Sequence, residues 1–108
     1  MEVHNNMGIG FPEVVYQRCL QLEFEKAGLQ YQREINLPLF YKGEKVGSRQ
    51  SDFLVEQDWI VELKATTALI ADNYAQGLNY LTAYNKDRGL LINFGSKRLE
   101  YKLLFRRR

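Results

Sequence analysis

The chain has little of several residue types: one cysteine, one histidine, one tryptophan and two prolines in 108 residues. A lone Cys19 forms no internal disulfide, and one thiol does not make a zinc site. The expected setting is therefore reducing, intracellular and cytoplasmic. A solitary His4 leaves no base for a serine or cysteine nucleophile elsewhere, so that kind of catalysis is unsupported. No run approaches the roughly 18 to 20 apolar residues that span a bilayer, and no membrane partner is expected. Met1 to Gly10 lacks a basic start followed by an apolar run, so no secretory signal is read there. There is no internal repeat and no low-complexity segment.

What is present is ordinary for a globular protein: 45% hydrophobic, 26% charged and 13% aromatic residues. The length suits one domain, residues 1–108, with a packed core that needs no staples. A net charge of +2 is too mild to establish a nucleic-acid partner. The closing Arg106, Arg107 and Arg108 either meet phosphates or form a solvated end.

Gly8 and Gly10 form a joint after a short polar start, Met1 to Asn6. Pro12 to Ala27 is helical in pattern, with Val15, Cys19 and Leu22 on one stripe and Leu20, Phe24 and Ala27 beside it. Gly28 stands where a helix cap is expected. Leu29 to Tyr41 reads as a long strand, bent at Pro38. Lys42, Gly43 and Glu44 read as a hairpin turn. Lys45 to Glu56 reads as a second strand, with an interruption at Gly47. A turn at Gln57 and Asp58 leads to a third strand, Trp59 to Ala65. Ala71 to Tyr84 is a second helix, striped by Tyr74, Leu78 and Leu81. Gly89 to Phe94 is a buried strand in pattern and Leu99 to Phe105 an alternating one. The order αβββαββ predicts a mixed sheet with helices packed on it, an α/β fold of α+β character.

The hairpin from Asp52 to Lys64 carries the chemistry. With Asp52 opposite Glu62, Phe53 opposes Val61 and Val55 opposes Trp59. Phe53, Val55, Trp59, Val61 and Leu63 then share a wholly apolar face. Asp52, Leu54, Ile60, Glu62 and Lys64 share the other. A slip of one residue would put Asp52 on the apolar face, so the hydrophobic pattern selects the register that clusters the charges. Two carboxylates across a strand pair offer hard oxygen ligands of the kind Mg²⁺ and Mn²⁺ favour. Such a cation can polarise a phosphoryl oxygen and activate a water. Lys64, on the same face, can steady developing negative charge or orient the attacking water. The same side chains would equally serve as a surface ion pair, Glu62 or Asp52 with Lys64, and spacing alone does not separate the two.

Asp52, nine intervening residues and Glu62-Leu63-Lys64 resemble the core motif of the PD-(D/E)XK nuclease superfamily. Gly10-Phe11-Pro12-Glu13-Val14-Val15-Tyr16 resembles the signature of the GxxExxY proteins, a small bacterial family placed in that superfamily. Leu90-Leu91-Ile92-Asn93-Phe94-Gly95 is similar to that family's penultimate strand. The resemblance spans about Val3 to Phe105. It implies a restriction-endonuclease-like core and hydrolysis of a phosphodiester, in DNA first and RNA second, a choice the sequence itself does not make. It implies that Glu13 joins Asp52 and Glu62 around a metal ion, although the helix dipole also accounts for an acid in that first turn. Tyr16, one turn on, lines the site or packs. Gln76 and Tyr80 are similar to a Gln-x-x-x-Tyr element of recombination-type exonucleases in the superfamily. They share a helical face and can bind a phosphate or a water. The resulting expectation is Asp52, Glu62, Lys64 and Gln76 as catalytic residues, with Tyr80 and Tyr16 toward the substrate.

The resemblance also implies a longer helical segment before Val3-His4, so the chain is expected to start inside it. His4 has either an incidental role or that of a base. Cys19 and Trp59 are expected in the core. Arg33, Lys42, Lys45, Arg49 and Lys97 are candidate backbone contacts that nothing in the sequence places on one surface. A second copy or partner would help so small a domain grip a duplex, hence a homodimer is considered. The competing reading is a catalytically silent nucleic-acid- or protein-binding module of the same fold.

Overall fold

Pro12 and Gly28 bracket a helix, as their backbone preferences require. A computed structural model describes residues 2–106. Its elements run α1 (Glu2–Met7), α2 (Glu13–Lys26), β1 (Tyr31–Tyr41), β2 (Glu44–Val55), β3 (Trp59–Lys64), α3 (Ala71–Tyr84), β4 (Arg88–Asn93) and β5 (Glu100–Phe105). The expected order stands with one helix added at the front. Six residues do not hold a helix by themselves. Packing holds α1: Val3 is buried in the core, Met7 leans on the same cluster, and His4 Nε2 lies 2.9 Å from the Ser96 carbonyl oxygen.

Pro12 is extended before α2 (φ −61°, ψ 153°), and Gly28 follows it at φ +71°, a conformation that favours a residue without Cβ. The inward face of α2 differs from the expected stripe. Tyr16, Gln17 and Leu20 are buried, Val15 and Cys19 are half-buried, and Leu22 is exposed. The helix has apolar residues on both flanks. The sheet takes Tyr16 and Leu20, and α1 takes the flank with Cys19.

The sheet has five strands in the order β1-β2-β3-β4-β5. β1, β2 and β3 form an antiparallel meander, β4 runs parallel to β3, and β5 is antiparallel to β4. The parallel step needs a crossover, and α3 supplies it. Phe53 pairs with Val61, Leu54 with Ile60 and Val55 with Trp59, which is the register read from the sequence. Phe53, Val55, Val61 and Leu63 meet Tyr16, Leu20 and Phe94 on one face of the sheet. Ile60 and Leu54 meet Leu81, Leu91 and Leu104 on the other. Burying each such side chain contributes about 1.5–3 kcal/mol, so a slip that turned them outward would cost more than the domain can lose.

α3 spans the expected residues and ends at Asn85 in the left-handed region (φ 55°). Its stripe is rotated. Leu81 and Gly77 are buried, whereas Tyr74 is exposed. Gly77 is the reason, because a Cβ there would lie 2.5 Å from Leu104 Cδ1. The helix makes its close approach at Gly77 and turns Tyr74 away.

Lys42 and Gly43 turn the first hairpin at φ 50° and 82°, a pairing of left-handed residues suited to strand twist. Pro38 lies on edge strand β1 and pairs with Ser48, and the register shifts just beyond it, between Leu39 and Phe40. Beside Gly47, Val46 is the extra residue of that shift. Residues 44–50 are exposed, so the outer part of the β1–β2 ribbon is an arm standing beyond the core. Among the described residues no helix is long and apolar enough to cross a membrane.

Candidate active site

Asp52 sits where β2 breaks its pairing on both sides. Toward β3 the ladder stops at Phe53 and Val61. Toward β1 it runs from Arg33–Phe53 to Ile35–Ser51, and Glu34, which would face Asp52, has φ 56°. The carboxylate stands in for the missing ladder bond: Leu63 N–H donates to Asp52 Oδ2 at 2.8 Å. The other oxygen, Oδ1, accepts from Gln17 Nε2 at 3.0 Å. Burial raises the Asp52 pKa, while the Leu63 N–H and the Lys64 charge favour its ionised form and lower it.

Glu62 follows on the central strand β3 and is buried, with 5% of its surface exposed. Its Oε1 is shut off from solvent and has no hydrogen-bond partner. Burial first, and the Asp52 charge second, push the Glu62 carboxyl up to about 8, against the opposing pull of Ser51 and Lys64. Glu13 comes from the first turn of α2. Burial and then the Asp52 charge raise its pKa, and Lys64 lowers it. Lys64 thus acts on Glu13, Asp52 and Glu62 together. Three of the four residues expected at the centre come from the β2–β3 hairpin, and the fourth from α2.

The end of β3 is held in place by Asn93. This fully buried residue pairs with Lys64 and accepts from Thr66 N–H and Gly95 N–H at 3.0 Å each. Its amide nitrogen donates to Thr66 O and Glu100 Oε1, both at 2.9 Å. Gly95 lets the two strand exits touch, since a Cβ there would lie 2.4 Å from Thr66 backbone atoms. Lys64 therefore leaves a fixed backbone.

Sequence reading missed Gln17 and the role of Arg33. Gln17 lies four residues after Glu13, hence on the same helical side, and that spacing was a readable signal. Its amide is oriented from behind: Arg33 Nε donates to Gln17 Oε1 at 3.0 Å and Arg33 Nη1 to Gln21 Oε1 at 3.1 Å. Glu34 lies 3.4 Å from Arg33 Nη2. Arg33 is thus committed inside the protein and does not serve as the backbone contact considered above. Tyr16 is also corrected. It is fully buried, its ring stacks on Phe94 at 5.0 Å, and its hydroxyl donates to Gly8 O at 2.6 Å. A side chain so enclosed braces the glycine joint and offers no surface to a substrate. Trp59 packs half-buried against the core as expected, with the Arg88 guanidinium 5.1 Å over its ring.

α3 brings Tyr80 toward the carboxylates. Burial first, and the charge of Glu62 second, raise the phenol pKa. Gln76 is exposed and lines a cleft with Tyr80, Asn79, Ala83, Leu39 and Arg49. No contact joins Gln76 to the carboxylates directly. Ser51, fully buried before Asp52, donates its N–H to the Tyr84 hydroxyl, which donates in turn to Ile35 O. Of the basic tail, Arg106 is tied to Asn85 and Asp87 at 3.0 and 3.1 Å. Arg107 and Arg108 lie outside the described residues.

Among the described residues no three His, Cys, Asp or Glu side chains converge on one point. The donor chemistry nonetheless fits a hard cation. Asp52 and Glu62 supply carboxylate oxygens of raised pKa, and one of these oxygens is buried without a partner. A cation there would relieve both the desolvation and the mutual repulsion.

A strand-hairpin acid pair with a following lysine, on a mixed sheet flanked by helices, defines a nuclease-type α/β fold. The family comparison carries this further: the chain belongs to the PD-(D/E)XK nuclease superfamily, whose model matches residues 1–107. Nucleases of that superfamily generally use divalent metals. No curated protein matches the chain at a significant level. The crystal structure of SSO0001 is similar, with a TM-score of 0.71 and 12% identity over 87% of this chain and 50% of that one. That likeness is one of fold, and the chain spans half the length of that protein.

Proposed function

We propose that the chain is a nuclease of the GxxExxY type that hydrolyses a phosphodiester of DNA in the cytoplasm, with Mg²⁺ or Mn²⁺ as cofactor. The observation that carries this reading is the unpartnered, buried Glu62 Oε1 beside Asp52, with Lys64 acting on both. Asp52 and Glu62 hold the cation, and Glu13 assists directly or through a water. When bound, the cation polarises the phosphoryl group and makes a water more acidic. Lys64 neutralises charge that develops on the phosphoryl oxygens during attack. Gln17 keeps the Asp52 carboxylate turned toward its partner. Gln76 and Tyr80 orient the phosphate from the α3 side.

The test is nicking of a supercoiled plasmid with Mg²⁺, with Mn²⁺ and with EDTA, and of a single-stranded RNA beside it. The reading expects metal-dependent nicking, and a loss of about 10²-fold or more in Lys64→Ala. One observation favours the silent-module reading, namely that among the described residues no three acidic side chains converge. A protein that nicks neither DNA nor RNA with either metal would establish that reading instead.

A further inference from the structure

The cleft between α3 and the β1–β2 arm opens beside the carboxylates. Its volume is about 150 Å³, and Leu39, Arg49, Gln76, Asn79, Tyr80 and Ala83 line it. No acidic residue is in that lining, although two carboxylates lie just beyond Tyr80. The lining instead supplies a guanidinium, two amides and a phenol over a small apolar base, a set that donates hydrogen bonds to an anion.

Arg49 is the residue that distinguishes the cleft. Three other arginines are committed: Arg33 to Gln17, Gln21 and Glu34, Arg88 to Asp58, and Arg106 to Asn85 and Asp87. Arg49 is exposed and pairs across the ribbon with Leu37. Among the described residues no carboxylate forms an ion pair with it. Its guanidinium shares the cleft with the Tyr80 phenol, which feels the charge of Arg49 on one side and those of Glu62 and Asp52 on the other, so Tyr80 stands between the acidic centre and this guanidinium. A guanidinium fits phosphate oxygens in a planar, two-pronged way that an ammonium does not.

We propose that this cleft seats a nucleic-acid phosphate neighbouring the scissile one, with Arg49 as its anchor and Tyr80 as the bridge to the acidic centre. The proposal rests on the nuclease reading. It adds a second binding position, which fixes where the strand runs: from Glu62 past Tyr80 and along the α3 side of the arm. Lys42 and Lys45, near the arm's tip, lie further out in the direction of that strand. Of the basic residues that the sequence could not place, Arg49 lines this cleft, whereas Arg33 is turned to Gln17 behind Asp52.

The experiment is fluorescence anisotropy of a labelled DNA oligonucleotide, single-stranded and as a duplex, in EDTA over a range of salt. Wild type is compared with Arg49→Ala, Arg49→Lys and, as a charge control on the far helix, Lys26→Ala. Circular dichroism and a metal titration confirm that each variant keeps its fold and its acidic centre. The expected result is roughly tenfold weaker binding in Arg49→Ala, with a salt dependence shallower by about one unit. Arg49→Lys should recover part of the affinity, and Lys26→Ala should match wild type. Equal affinity and equal salt slope for Arg49→Ala and wild type would overturn the proposal, as would wild type that binds neither form of DNA. Plasmid nicking separates the two ideas. Arg49-dependent binding without nicking keeps the cleft and removes the nuclease reading. Nicking with Arg49-independent binding keeps the nuclease and removes the cleft.

Discussion

Gln17 Nε2 donates to Asp52 Oδ1 at 3.0 Å, while Gln17 Oε1 accepts from Arg33 Nε at the same distance. The arginine fixes which way round the amide lies, because only its oxygen can accept from Arg33. The amide hydrogen is thereby committed to Asp52. Orienting groups behind a metal ligand are worth about 10- to 100-fold in affinity or activity. Gln17→Leu should weaken Mg²⁺ binding by about 10-fold, and Arg33→Ala should act in the same direction but less. Gln17→Glu places a second negative charge on Asp52 and should move metal binding to higher pH. Calorimetric titration of the three variants checks this, and unchanged affinity in Gln17→Leu would rule the relay out.

The acidic centre predicts an unusual stability profile. Glu62 titrates near 4.5 when unfolded and near 8 when folded, because burial and Asp52 disfavour its charge. Between those values the folded chain holds the extra proton. Stability from this group is therefore complete below about pH 4.5 and is lost as pH rises through about 8. Asp52 and Glu13 are raised as well and add in the same direction. In EDTA, the melting temperature should fall from about pH 5 to about pH 8, and Glu62→Gln should flatten that fall. Thermal scans across the range decide it: a melting temperature that rises with pH would contradict the assignment.

Two glycines allow close approaches of different kinds. A methyl at Gly77 would press on the end of the Leu104 side chain, which can shift. Overpacking costs about 1–3 kcal/mol, and alanine returns about 1 kcal/mol of helix propensity. Gly77→Ala should therefore destabilise only mildly. A methyl at Gly95 meets the Thr66 backbone at 2.4 Å. The backbone must move, so Gly95→Ala should destabilise more, by about 3 kcal/mol or above. Urea unfolding of both variants tests the ranking.

Much of this was legible because side-chain alternation leaves few choices. Phe53, Val55, Trp59 and Val61 fix the hairpin register, and with it the meeting of Asp52 and Glu62. Gly28 ends its helix where a left-handed residue is tolerated. What was not legible depends on distant partners. α1 exists because Val3 has a core to enter. Tyr16 and Gln17 face inward because the sheet and α1 divide the apolar flanks of α2 between them. Arg33 reaches Gln17 across 16 positions of sequence, and Arg49 reaches its cleft only through the path of the arm over α3. Tyr16, expected near a substrate, turned inward because its hydroxyl finds Gly8 O within the protein.

The central claim is that Asp52 and Glu62 share a divalent cation. The most direct measurement is calorimetric titration of Mg²⁺ and Mn²⁺ into wild type, Asp52→Ala and Glu62→Ala at about pH 8, where Glu62 can give up its proton. The account predicts saturable binding by wild type that disappears in both variants. Equal heats from all three proteins would contradict it and leave the pair as buried acids with no metal between them.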